Sequence, residues 1–259
     1  MLAERKEEQP MKGTVLKPLS AGEVSDFNTS LIQQVPKELW EHPELVRRHL
    51  RNKRGLGKLI REALLAKVES MDLDHHLELW QRVYTEICGI EPQFQDVVLP
   101  ENPGGFGWPV VVTPEVSLNQ FWQGLQKKFT CRSYYGDDLE KSLDWSKQER
   151  DYHNGAYAIR VRDHIEADEE LKNLSANDIE RQKLLTMTLD ERIRLEGLYW
   201  TLSSGQHLDV VNITLCSGSR SSDGSVPCVD WRGDDRGLLV SWYVVDDRFG
   251  RLRARAAVS

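Results

Sequence analysis

Several groups of residues have the types that chemistry uses, so their spacing decides what they can do. DLDHHLE brings Asp72, Asp74, His75 and His76 together. Neighbouring side chains on a helix point about 100° apart, so His75 and His76 cannot converge on one metal ion. The motif reads as polarity at a helix start. Acidic residues gather again in RDHIEADEE at 162–170. Carboxylates can hold Ca²⁺, but the run lacks EF-hand spacing and contains Arg162 and His164, so it reads as a solvated loop or helix start. His207, Asp209 and the serines 217, 219, 221 and 222 contain the residue types of a catalytic triad. No GxSxG elbow and no glycine-rich phosphate loop accompanies them. The four cysteines, Cys88, Cys131, Cys216 and Cys228, form no CxxC pair. That spacing excludes a zinc knuckle and a thioredoxin motif. Reduced, partly buried thiols are expected, with a Cys216–Cys228 disulfide left open.

Basic residues run from Arg47 to Lys67. A phosphate-binding helix would look like this, and so would a solvated helix face. Glu41, Glu44, Glu62 and Glu69 dilute the charge, and no aromatic residue interleaves with it to stack bases. Nucleic acid is therefore not the expected partner.

The C-terminal stretch carries the strongest signal. Trp231, Val240 and Trp242 have the character of core residues, and Gly224 and Pro227 that of turns. Between them stand Cys228, Asp230, Arg232, Asp234, Asp235, Arg236, Ser241, Tyr243, Asp246, Asp247, Arg248 and Phe249. Charged, polar and aromatic side chains of unrelated chemistry alternate with a regular frame. Recognition surfaces have this composition, with Tyr and Arg as the usual anchors. An ordinary solvated hairpin has it too.

The elements that would position these residues follow from periodicity. Residues 1–30 have few apolar anchors and read as a flexible arm. Pro36 suits a first helical turn, and Leu39, Trp40, Leu45, Val46 and Leu50 form a stripe that Pro43 interrupts. Helices are expected over 56–68 and over 73–87, the second burying Leu77, Trp80, Val83, Tyr84 and Ile87. These make a helical N-terminal module, 31–95. After Gly89 the texture changes. Strands are expected at 97–99, 110–112 and 156–161. Ser117 caps a helix with Leu118, Phe121, Trp122 and Leu125 on one face. Thr188 and Glu191 form a capping box for a helix running towards Ser204, with Gly205 as its stop. Short strands at 211–215, 226–231, 238–242 and 252–258 close the chain. The order is that of an α+β protein.

Composition narrows the classes further. The chain has 259 residues, enough for a large core. Hydrophobic residues are 39% and charged residues 29%. No run approaches the ~20 apolar residues of a membrane span. Eight Trp, seven Tyr and six Phe exclude wholesale disorder. A net charge of −7 argues against the whole molecule being an electrostatic nucleic-acid binder. The first residues, MLAERKEEQPMKG, lack the apolar core of a secretory signal, and the location stays unknown.

Four stretches resemble a known family: NGAYAIRVRDHIEADEELKNLSAND at 154–178, TLDERIRLEGLYW at 188–200, GQHLDVVNITLCSGSRSSDGSVPCVDW at 205–231, and LRARAAVS at 252–259. They are similar to the variable proteins of diversity-generating retroelements, over roughly residues 110–259. The resemblance implies a C-type lectin-like domain of the formylglycine-generating-enzyme-like branch over 96–259. It also implies a mechanism. A reverse transcriptase copies a template repeat, mutates its adenines, and the product replaces the variable repeat, here about 216–259. The lectin name implies no sugar ligand. The diversified, ligand-binding positions expected are Ser221, Cys228, Asp230, Arg232, Asp234, Asp235, Arg236, Ser241, Tyr243, Asp246, Asp247, Arg248, Phe249 and Arg251.

The reading is therefore an α+β chain, a helical N-terminal module followed by a C-type lectin-like domain. It binds a protein or cell-surface ligand non-covalently. No catalytic residue, metal, cofactor or membrane insertion is expected. An enzyme of the related fold acting through Cys216 or Cys228 stays as an alternative. It is weakened because Cys228 stands at a position expected to vary. A nucleic-acid binder acting through 47–67 is the other alternative.

Overall fold

A computed structural model describes residues 73–94 and 96–259. The expected arm at 1–30, the helices before residue 73 and the basic stretch 47–67 lie outside the described residues. What is described is a mixed α+β architecture. Its elements are α1 (Leu73–Cys88), β1 (Trp108–Val112), α2 (Leu118–Gln126), β2 (Thr130–Ser133), α3 (Leu139–Ser142), β3 (Tyr157–Val161), α4 (Ala176–Arg181), α5 (Leu189–Leu202), β4 (Ile213–Leu215), β5 (Val226–Arg232), β6 (Gly237–Tyr243), β7 (Leu252–Arg253) and β8 (Ala257–Val258). Among the described residues no helix is long and apolar enough to cross a membrane.

The strands make two sheets. The smaller has the order β1-β3-β8 and is antiparallel. The larger has the order β2-β6-β5-β4-β7. Within it β4, β5 and β6 are antiparallel neighbours, while β2 runs parallel to β6 and β7 parallel to β4. The stretch expected as one strand over 252–258 divides between the sheets, with β7 in the larger and β8 in the smaller. Ala254 and Arg255, both buried, make the crossing.

Local chemistry starts the helices. Ser117 accepts from the Gln120 amide while the Gln120 side chain accepts from the Ser117 amide. Thr188 and Glu191 make the same reciprocal pair at the head of α5. Each box satisfies two amides that a helix start leaves without partners. At the other end of α5, the Gly205 amide donates to the Trp200 carbonyl with φ at +93°. A left-handed glycine ends a helix without a Cβ clash.

Helices α1, α2 and α5 pack closely through two glycines. A Cβ on Gly197 of α5 would stand 2.6 Å from Phe121 of α2, and one on Gly124 of α2 would stand 2.5 Å from the Ile87 carbonyl oxygen. The core above them joins Trp80, Val83 and Tyr84 of α1 to Val110–Val112 of β1 and Ile159 of β3. Trp80 Nε1 donates to the Pro109 carbonyl at 2.9 Å, and the Tyr84 hydroxyl to that of Val111 at 2.8 Å. These contacts cross the boundary expected at residue 95. Helix α1, read from sequence as part of the N-terminal module, completes the core of the C-terminal half.

Three further expectations are corrected. Residues 97–99 form no strand. Val97 is buried, Val98 is exposed, and the Pro100 carbonyl accepts from the Arg160 Nε at 2.6 Å instead of from a neighbouring strand. The strand expected from Val211 begins at Ile213, because the Glu166 carboxylate takes the Val211 and Asn212 amides. The acidic run around it is in part the expected helix start, a 3-10 turn over Glu169–Leu171 with Glu169 and Glu170 exposed, but its loop is not simply solvated. Asp168 is buried, paired with Arg162 at 2.6 Å and accepting from the Ala256 amide at 2.8 Å.

Candidate functional site

Side chains along a strand alternate between faces, so the β5–β6 register assigns each residue a side. Cys228 lies opposite Ser241, Asp230 opposite Leu239, Arg232 opposite Gly237, and Val226 opposite Tyr243. Val226, Cys228 and Tyr243 belong to a second apolar cluster with Ile213, Leu215, Leu252 and Ile179. Val229, Leu238 and Val240 point the other way, into the main core, with Trp231 packed against it. Five of the residues named from sequence (Cys228, Asp230, Arg232, Ser241 and Tyr243) thus share one face of the larger sheet. The frame residues Trp231 and Val240 occupy the opposite face.

Topology covers the first face. Strands β6 and β7 run in the same direction, as their shared antiparallel and parallel partners require. The connection 244–251 must therefore return along the length of the sheet. It returns across the second cluster, where Val245 and Phe249 pack. Phe249 meets Tyr243 edge to face at 5.2 Å. Asp246, exposed, accepts from Asn177 Nδ2 at 2.7 Å, and exposed Arg248 reaches Asp178 of α4 at 3.3 Å. Asp247 accepts from the Val244 amide at 3.1 Å, and Arg251 Nε donates to the Val211 carbonyl at 2.8 Å.

The floor and the rim of this region differ in chemistry. Cys228, Asp230 and Ser241 are buried. The Cys228 thiol lies 3.0 Å from the Ser241 hydroxyl. Burial pushes that thiol up to about 12, against the pull of the Ser241 hydrogen bond. Burial also raises the Asp230 carboxyl, against the opposing effect of Arg232. Arg232 Nε lies 2.6 Å from Asp230 Oδ2 but is not aimed to form a hydrogen bond. At the rim, Asp234, Asp235 and Arg236 form the exposed β5–β6 turn, with Asp235 paired to Arg132 at 3.0 Å. Ser221 stands apart, buried in the β4–β5 connection, where its hydroxyl meets that of Tyr135 at 2.7 Å.

Trp242 corrects an expectation. Its type and strand position predict a core residue, yet it is 48% exposed. It shares the side of Val240 but lies one step nearer the strand end, opposite Pro227. Leu239, opposite Asp230 on the candidate face, was not identified from sequence. Only strand register reveals it.

An ionic network fixes the frame behind the face. Asp209 accepts from Arg192 Nε at 3.0 Å, Arg255 Nη2 at 2.8 Å and the Ala167 amide at 2.8 Å, and Thr214 donates to it as well. Arg192 Nη1 also donates to Glu196 at 2.9 Å, and Glu196 holds His207 Nδ1 at 2.9 Å. The His207 ring stacks on Trp231 at 3.4 Å. Asp209, Arg192, Arg255 and Glu196 are all buried. Buried charges persist where opposite charges and hydrogen bonds offset their loss of water, and Arg192 Nη2, which makes no hydrogen bond, still lies 2.9 Å from Asp209 Oδ2. His207 and Asp209 are therefore occupied in the frame rather than joined to a serine as a triad.

All four cysteines are free thiols, with Cys216 and Cys228 buried. Burial drives the Cys216 thiol well above its ordinary value. Among the described residues no group of three or more His, Cys, Asp or Glu is arranged to hold a metal ion. No family model, curated protein or solved structure matches this chain.

Proposed function

We propose that this chain is a binding protein of C-type lectin-like type, and that the exposed β5–β6 turn, the rim of the β5–β6 face and the returning segment 244–251 that covers it form a ligand-recognition surface diversified by adenine mutagenesis of its coding repeat. One observation carries the reading. Residues of unrelated chemistry fall on one face of β5 and β6 and on the loops around it, while Trp231, Val229 and Val240 keep to the other. A diversified surface needs this separation, because contact residues can change only where the frame does not depend on them. The buried network on Asp209 supplies a frame of that kind. Recognition is non-covalent on this reading. The thiols that an enzyme of the related fold would use are buried and held protonated.

Sequencing the DNA around the gene tests the proposal. A near-copy of codons 216–259 is expected close by, beside a reverse-transcriptase gene. Mismatches should fall at adenines of that copy and mark codons on the proposed surface. Absence of both the copy and the reverse transcriptase would remove the diversification claim.

A further inference from the structure

We propose that the Asp230 carboxylate is the seat for a lysine ammonium group of a protein partner, and that Arg232 is a placeholder which this group displaces. The inference rests on the reading of this region as a protein-binding surface and names the chemistry its present residues select. Asp230 is fully buried, yet neither of its carboxylate oxygens takes part in a hydrogen bond. A buried carboxylate in that state bears the full cost of its lost water, so it gains most from an incoming donor. Among the described residues its ion pair is with Arg232, whose Nε lies 2.6 Å from Oδ2. That Nε is itself buried and makes no hydrogen bond either. An acceptor and a donor without hydrogen bonds thus stand side by side under the rim.

Arg232 is a displaceable occupant. It ends β5, and 39% of its side chain reaches solvent, so the guanidinium can turn outward without breaking the strand. A guanidinium bonds well only in its own plane. An ammonium is compact and its donors turn freely, so it can serve both oxygens. The flanks suit the stem that carries it. Leu239 stands opposite Asp230 in β6, and the β4–β5 register, carried one step beyond Thr214–Val229, sets Ile213 on the other side. Both are buried and apolar, the kind of surface along which lysine methylenes pack. Charge complementarity agrees. The whole chain carries a net charge of −7, which draws in a basic segment, and Asp234 is exposed on the adjoining turn. A Ca²⁺ ion would need several oxygen ligands, and among the described residues no group of three or more His, Cys, Asp or Glu is arranged to supply them.

The test uses the full chain with labelled leucine methyl groups and titrates n-butylammonium chloride at constant ionic strength, followed by NMR. A saturable shift of the Leu239 methyl signals is expected, with none from n-butanol, which has the stem but not the charge. Asp230→Asn should weaken binding at least tenfold. It removes a buried charge at constant shape, so its melting curve should match or exceed that of the wild type and show that the frame is intact. Arg232→Ala should tighten binding about fivefold by clearing the seat; Arg232→Gln replaces it if the alanine variant does not fold. No saturable shift in the wild type, undiminished binding by Asp230→Asn, or no tightening in the folded Arg232 variant overturns the proposal. Equal affinity for n-butylguanidinium overturns the lysine assignment and gives the seat to arginine. The DNA test above is independent. Adenine-confined mismatches without ammonium binding would sink only this inference, and ammonium binding without a template copy would sink only the diversification reading.

Discussion

Asp209 shows what one residue contributes. Two arginines, a threonine hydroxyl and a backbone amide converge on its carboxylate. Burial alone would raise its carboxyl, but Arg255 and Arg192 outweigh that and hold it below its ordinary value. A carboxyl with a folded-state pKa below the unfolded one stabilises the fold above the unfolded value, about pH 4. That contribution fades as pH falls towards the folded value. Asp209→Asn should therefore cost about 3–5 kcal/mol at neutral pH, because it leaves two buried arginines short of a counter-charge. It should also flatten the acid limb of the stability curve. Urea unfolding across pH 2.5–7 measures both effects, in the range that about pH 4 defines. An acid limb unchanged in the variant would show that Asp209 is not the responsible group.

At the scale of elements, the helices divide into what is local and what is not. The caps on α2 and α5 were legible because a capping box is closed within four residues, as Ser117 with Gln120 and Thr188 with Glu191 show. Thr188→Ala should cost about 1 kcal/mol, the usual cost of a lost N-cap. Gly197→Ala should cost more, about 1–3 kcal/mol, although alanine is the better helix former. Its Cβ would meet the Phe121 ring at 2.6 Å. Denaturant midpoints of the two variants give the order. A stabilised Gly197→Ala would mean that α2 and α5 can separate without cost. The charged pattern of α5 was not legible in the same way. Every residue from Leu189 to Tyr199 is buried, including Asp190, Glu191, Arg192, Arg194 and Glu196. Their partners include Tyr84, Arg150 and Asp209, which no periodicity connects to the helix.

At the scale of the whole molecule, the proposed surface requires that the rim be separable from the frame. Asp234, Asp235, Arg236 and Asp246 are exposed, and exposed ion pairs such as Asp235–Arg132 contribute little. Replacing these four together with serine should move the melting temperature by less than about 3 °C. Cys228→Tyr is the contrast. It overfills a buried position under the returning segment and should cost about 1–3 kcal/mol. A comparable loss from the four rim changes would place the rim in the frame and count against a diversifiable surface.

The sequence by itself determined the α+β order, the caps, and the alternation that sends Cys228, Asp230 and Arg232 one way and Val229 and Trp231 the other. Each of these depends on residues close together along the chain, where helical or strand geometry translates spacing into direction. Tertiary structure alone decided that α1 joins the C-terminal core, that Asp168 is buried, that Trp242 emerges, and that segment 244–251 returns over the face. Those outcomes depend on which distant elements meet. Strand direction in the larger sheet forces the return, and the returning segment turns Cys228 and Ser241 into a buried floor and leaves Arg232 and Arg251 at the rim.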